Sequence, residues 1–142
     1  MKTENIHFNH SDNIQIRFND MDGLGHANNS TIQEYFDLGR LGYFNKVFKN
    51  EVNWKEFGAI VASIKTDFLA PVFLSDKLRV KTKVLYIGDK SMKLIQHIVD
   101  DKNILKATCS SVMVGFDPKT QSSLLIPDEW RRKISDLEQS DL

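Results

Sequence analysis

One short stretch gathers the side chains that acyl chemistry needs. Residues 17–29 carry two carboxylates (Asp20 and Asp22), an imidazole (His26) and two amides (Asn28 and Asn29), spaced by Gly23 and Gly25. The stretch lies between the expected end of a strand and the expected start of a helix. A helix N-terminus offers unpaired N–H groups and a partial positive charge, so it can hold a developing oxyanion. A carboxylate beside it can attack a carbonyl or activate a water. Together these devices suit hydrolysis of an activated acyl group. The same residue types also serve turns and helix caps, and spacing alone leaves that plainer reading open. Elsewhere the chemistry is thin. His7, His10, His26 and His97 show no metal-ligand spacing, so neither metal nor cofactor is expected. Cys109 is the lone cysteine, which excludes an internal disulfide and reads as strand packing.

The elements that must position this loop follow from periodicity. Ile14, Ile16 and Phe18 alternate with Gln15, Arg17 and Asn19, the period-2 pattern of a half-buried strand entering the loop. Ser30 and Gln33 have the spacing of a capping box opening the helix. Ile32, Tyr35, Phe36, Gly39, Tyr43 and Val47 then trace one apolar face through about Phe48. Gly39 and Gly42 each lower helix propensity by roughly 1 kcal/mol against Ala, which predicts close approach of another backbone. Four strands follow, over 59–68, 78–84, 92–99 and 104–116, with turns at 88–90 and 100–103. Pro127 opens a short terminal helix, with Arg131, Arg132 and Lys133 placed further along to suit its dipole. The order predicts an α+β domain, one antiparallel sheet packed on one long helix.

Composition bounds the rest. The 142 residues fit one domain over 1–142, with 1–12 expected to be flexible and 127–142 to form the helix and tail. A 41% hydrophobic and 27% charged composition is that of an ordinary folded protein. Nineteen basic and nineteen acidic side chains leave no cationic excess for a nucleic-acid backbone. No apolar run approaches the ~18 residues of a membrane span, and the first residues lack an apolar signal core, so the expected location is cytoplasmic.

The loop resembles the signature of the hotdog-fold acyl-CoA thioesterases, in the 4-hydroxybenzoyl-CoA thioesterase-like group. The matching residues are Asp20-Met21-Asp22, Gly25, His26, Asn28-Asn29, Tyr35-Phe36 and Arg40, and the likeness extends over roughly 13–132. It implies a single hotdog domain, a long central helix wrapped by a curved antiparallel five-stranded sheet. It further implies subunits that join their sheets into dimers or tetramers, with active sites at the interface. By resemblance, Asp22 is the catalytic carboxylate, either a nucleophile forming a mixed anhydride or a general base. His26 orients substrate or water, and Asn28 and Asn29 belong to the same site. The thioester oxygen is held by a backbone N–H within 27–29, Ala27 included. Only His26-Ala27 separates Gly25 from Asn28, shorter than in many relatives, so that donor can slip by a residue. Asp20 is assigned a structural part, holding loop N–H groups or pairing with Arg17 or Arg40. Lys65, Lys90 and Lys93 are candidates for coenzyme A phosphates, and Tyr43, Phe57, Phe68 and Phe73 for an acyl pocket. The implied function is acyl-CoA hydrolysis to free acid and CoA. An acyl carrier protein thioesterase and a non-catalytic acyl-CoA-binding protein are the alternatives.

Overall fold

The spacing of Ile32, Tyr35, Phe36, Gly39, Tyr43 and Val47 folds as helix α1, Asn29–Val47, and all six are buried. The computed structural model describes residues 6–54 and 56–142, and this helix is its central element. Against α1 lies one antiparallel sheet of β1 (Ser11–Ile14), β2 (Ala59–Phe68), β3 (Leu78–Ile87), β4 (Ser91–Val99) and β5 (Leu105–Asp117), in the order β1-β3-β4-β5-β2. A two-residue strand, β6 (Ser122–Ser123), adds to β5. Helix α2, Asp128–Glu138, closes the chain. The α+β hotdog architecture read from the sequence is the one observed. Register shifts at Val61/Ser63, Val84/Tyr86 and Ile98/Val99 insert bulges, which bend and twist the strands around the helix.

The alternation of Leu78, Val80, Thr82 and Val84 with charged residues places those four inward, and all are buried. Their partners fall into two apolar clusters. One joins Tyr43, Phe44 and Val47 to Met92, Leu94, Ile126 and Ile134; the other joins Ile32, Tyr35 and Phe36 to Val72, Val80 and Ile98. A polar layer lies between them. The buried Arg40 donates from Nη1 to Gln96 Oε1 at 2.8 Å, and Gln96 Nε2 donates to the Phe36 carbonyl at 2.9 Å and to Thr82 Oγ1 at 3.0 Å. Each polar group in this layer is answered by another, as burial requires.

Several local expectations are revised. The first strand ends at Ile14, not Asn19; residues 18–20 form a 3-10 turn, and Phe18 is 80% exposed despite fitting the alternation. The start expected to be flexible over 1–12 includes the first two residues of β1, Ser11 and Asp12, which pair with Lys81 and Val80; residues 1–5 lie outside the described residues. Helix α1 is capped by Asn28, whose Oδ1 accepts the Ser30 N–H at 2.8 Å, while Gln33 turns away to donate to Thr66 Oγ1 at 2.6 Å. The capping box is therefore not formed. Gly39 and Gly42 make room for side chains, not for backbone: a Cβ on Gly39 would sit 2.7 Å from Gln96 Nε2, and one on Gly42 would overlap the Asp12 carboxylate. In α2 no basic residue occupies the last turn; Lys133 instead pairs with Glu129 at 3.1 Å.

Candidate active site

The segment between β1 and α1 is held in shape by its own carboxylates and by one neighbour. Asp20 Oδ2 accepts the Arg17 N–H at 2.9 Å and the Tyr35 hydroxyl at 2.6 Å, joining the loop to the first turns of α1. Burial and the Asp20 contact push the Tyr35 phenol above its ordinary range. Arg40 does not reach Asp20; it pairs with Asp37. Residues 21–27 fold back on themselves through a bridge between Met21 and Ala27 and a bond from Asp22 N–H to the His26 carbonyl at 2.9 Å. Closing so short a reversal needs a left-handed residue, and Gly25 supplies it at φ 87°.

That fold-back brings Asp22 and His26 together. Asp22 Oδ1 accepts the Leu24 N–H at 2.8 Å, which fixes the carboxyl plane. Its other oxygen, Oδ2, lies 3.7 Å from His26 Nδ1, an ion-pair separation longer than a hydrogen bond. The Asp22 side chain is 27% exposed and that of His26 36%, so both are accessible from solvent.

The helix start is more committed than its sequence suggests. Ala27 N–H donates to the Val72 carbonyl at 2.8 Å, and Asn28 N–H donates to the Asp20 carbonyl at 3.0 Å. The Asn28 side chain accepts from both Ser30 N–H and Ser30 Oγ. Of the backbone N–H groups at 27–29, that of Asn29, the first helical residue, is left open among the described residues. It stands at the positive end of α1.

Beside this helix start opens a cleft of ≈ 260 Å³, lined by His26, Ala27, Asn29 and Ile32 and, from the end of β2 and the segment after it, by residues that include Phe68 and Val72. A larger cleft of ≈ 400 Å³ lies among Asp37, Leu41, Phe44, Trp54 and Phe57, and no residue of the loop lines it. Asp37 is eight residues along the helix from Asn29, about 12 Å at 1.5 Å per residue. Of the loop's polar groups, His26 and Asn29 line the smaller cleft, and Asp22 stands next to it, 3.7 Å from His26. Such a site, with a carboxylate, an imidazole and an open N–H beside an apolar recess, can bind and polarise a carbonyl and deliver a nucleophile to it.

The remaining candidates scatter. Phe68 lines the cleft, whereas Tyr43 is core, with its hydroxyl on Glu138 at 2.6 Å, and Phe57 stacks on Trp130 at 4.9 Å. Cys109 is buried, and burial pushes its thiol up. Lys65 is exposed on β2, at the register of Ser110. Lys90 lies in the β3–β4 turn, with Nζ 3.2 Å from Ser123 Oγ. That turn is at the far end of the sheet from the loop, about 30 Å away along the nine residues of β4 at ~3.3 Å per residue. Sequence reasoning singled out Phe73 but missed the part of segment 69–76 that supports the loop through Val72. It also missed Lys106, which is buried where an exposed strand lysine is usual. The signal for Lys106 was a lysine set within the apolar run of β5.

Comparisons with known proteins agree with this fold. The family model described as the thioesterase-like superfamily matches residues 16–134. A thioesterase from Thermus thermophilus, solved with coenzyme A and Zn, superposes with a TM-score of 0.86 at 26% identity, covering 95% of this chain and 98% of that one. A predicted thioesterase from Bacillus stearothermophilus superposes with a TM-score of 0.81 at 26% identity, covering 89% and 93%. The uncharacterized protein YsmA of Bacillus subtilis (strain 168) is 33% identical over 87 residues, a match spanning 61% of this chain and 58% of that relative. With its loop, α1 and strands β2 to β5 inside the matched region, this chain belongs to the thioesterase-like superfamily.

Proposed function

We propose that the protein hydrolyses acyl-CoA thioesters to the free acid and CoA, and that Asp22 is its catalytic carboxylate. The observation carrying this reading is a cleft lined by His26 and by Asn29 with its open N–H, with the Asp22 carboxylate 3.7 Å from the His26 ring. The thioester carbonyl sits at the cleft, its oxygen on the Asn29 N–H. Asp22 then attacks the carbonyl carbon to give a mixed anhydride that water opens, or takes a proton from the attacking water. Either route expels the CoA thiolate and releases the acid. His26 orients the water or the thioester. Asn28 acts through the cap that fixes the helix start, and Ala27 through its bond to Val72. This reading assigns the oxyanion donor to Asn29, because the Ala27 N–H is taken up by Val72.

The active form in this reading is a dimer joined through β2. This strand ends the sheet order, so one side of it is unpaired, and it exposes Ile60, Val61, Ile64 and Phe68. Ile60 and Val61 share a cleft with Leu41 of α1, extending the apolar patch. A long apolar edge of this kind invites a partner strand. Antiparallel pairing of β2 with a second copy sets the Phe68 end of one beside the Ala59 end of the other. It therefore brings the Lys90 turn of the second copy to the side of the first copy's loop. Three strand spacings separate that turn from Phe68, about 15 Å at 4.7–4.9 Å each. Lys90 of the second copy, together with Lys65, then serves the CoA phosphates. A cytoplasmic location belongs to the same reading and suits a chain with a single unpaired cysteine.

The test is a panel of acyl-CoAs, aliphatic and aromatic, with released thiol followed by a colorimetric reagent and an acyl carrier protein thioester as a further substrate. Turnover of at least one acyl-CoA is expected. Turnover of the carrier-protein thioester alone reassigns the substrate. Tight binding of acyl-CoA without any release makes the protein a binding module instead.

A further inference from the structure

We propose that Lys106 is a positioning residue for the thioesterase site, an inference that rests on the reading of that site given above. Lys106 is in β5, 7% exposed, and its two ends grip the same segment. Its backbone carbonyl accepts the N–H groups of Leu69 at 2.9 Å and Ala70 at 3.1 Å. Its ammonium donates to the Pro71 carbonyl at 3.0 Å and pairs with Asp76 at 3.4 Å and Asp100 at 3.9 Å. Asp76 in turn accepts the Phe73 N–H at 2.8 Å, and the Phe73 ring centroid is 5.8 Å from the ammonium. Residues 69–76 are therefore wound about one lysine.

The carbonyl next after Pro71, that of Val72, is the acceptor for Ala27 N–H at 2.8 Å. Ala27 stands between His26 and Asn28, so this bond anchors the junction of the fold-back and α1 to the segment that Lys106 holds, beside the Asn28–Asp20 and Tyr35–Asp20 bonds that join loop and helix directly. Lys106 also lines the cleft beside His26 and Asn29, yet its ammonium is engaged by the protein, through one hydrogen bond to Pro71 and ion pairs with Asp76 and Asp100. A buried ion cluster is weak evidence for stability, because an apolar side chain of equal volume often serves as well. What an ammonium adds is direction. It holds one carbonyl in place, and through Val72 it holds the catalytic loop, where a displacement of about 1 Å can cost on the order of 10²-fold in rate.

The test pairs kinetics with hydrogen exchange on the full chain. Lys106→Met keeps the length and apolar stem and removes the charge. It is expected to lower kcat about 10-fold or more with KM within about twofold. It should also speed amide exchange over 21–28 about 10-fold while leaving 92–99 unchanged. Asp76→Asn, which leaves the lysine in place, should move both readouts the same way by a smaller factor, and it carries the test if Lys106→Met does not fold. Ile134→Val, in the other apolar cluster, is the control for stability lost at a distance and should leave kcat unchanged. Exchange over 21–28 within twofold of wild type in the folded lysine variant, or in Asp76→Asn where that variant carries the test, overturns the inference. So does a kcat loss that Ile134→Val reproduces. Exchange needs no turnover, so an enzyme inactive on every acyl-CoA would refute the proposed function and still leave the lysine's role decided.

Discussion

Asp22→Asn is the perturbation that separates chemistry from scaffolding. The substitution keeps the size of the side chain and one carbonyl oxygen. That oxygen can retain the 2.8 Å bond from Leu24 N–H that now orients Oδ1. The oxygen 3.7 Å from His26 Nδ1 becomes an amide nitrogen, with no hydrogen bond broken at that distance. No buried partner is orphaned, so the stability change should stay within about 1 kcal/mol. The amide can neither attack a carbonyl nor accept a proton from water. General-base participation alone is worth ~10²-fold or more, so kcat should fall at least that far, about 2.7 kcal/mol of barrier at 1.36 kcal/mol per decade. The assay has three arms: a thermal melt, binding of a non-hydrolysable thioether analogue of the substrate, and thiol release from the best acyl-CoA. Asp20→Asn is the internal contrast. Its carboxylate is taken up by Arg17 N–H and the Tyr35 hydroxyl, so that change should cost on the order of 1 kcal/mol of stability and far less in turnover. An Asp22→Asn protein that melts normally, binds the analogue and turns over at the wild-type rate would refute the assignment.

Three further outcomes are expected. Lys90→Ala should raise KM for acyl-CoA several-fold at nearly constant kcat, the pattern of lost uniform binding; an unchanged KM returns Lys90 to the solvated surface. Light scattering should give a dimer or tetramer, and a mass near 16.3 kDa through a dilution series into the micromolar range would remove the β2 interface from the account. Burial, with the Lys81 charge second, holds the His97 imidazole below its ordinary range. The unfolded chain then binds more protons as pH falls through about 6.5, so stability should drop below that pH, and His97→Gln should flatten this part of the profile in urea melts.

What was legible in the sequence was what short-range spacing controls. Ile32, Tyr35, Phe36, Tyr43 and Val47 mark a helix face because 3.6 residues per turn forces them onto it, whatever they pack against. The Leu78–Val84 alternation is equally local. Where a local pattern met a tertiary competitor, it lost. Phe18 continues the alternation of Ile14 and Ile16, yet Asp20 draws in the Arg17 N–H and the Tyr35 hydroxyl and winds 18–20 into a 3-10 turn. Ser30 and Gln33 have capping-box spacing, but Asn28 reaches the Ser30 N–H first and Thr66, thirty-three residues away, takes the Gln33 amide.

The site divides along the same line. The loop residues could be singled out because Asp22 and His26 are four apart and a glycine reversal brings them face to face. Their support could not, because it comes from contacts that spacing does not encode. Val72 is forty-five residues from the Ala27 it holds, and Lys106 is thirty-five from the Pro71 carbonyl it fixes. The Lys90 turn shows the converse. The resemblance sets it at the groove, and its own chain carries it to the opposite end of the sheet. Only the direction of an unpaired edge strand makes that expectation geometrically sensible, since antiparallel β2 pairing exchanges the two ends. A site with the proposed composition, its carboxylate local, its support tertiary and its phosphate contacts quaternary, needs all three levels before its parts converge. The sequence motif marks only the first of them, and for that reason Lys106 and Lys90 are where substitution tests the account most severely.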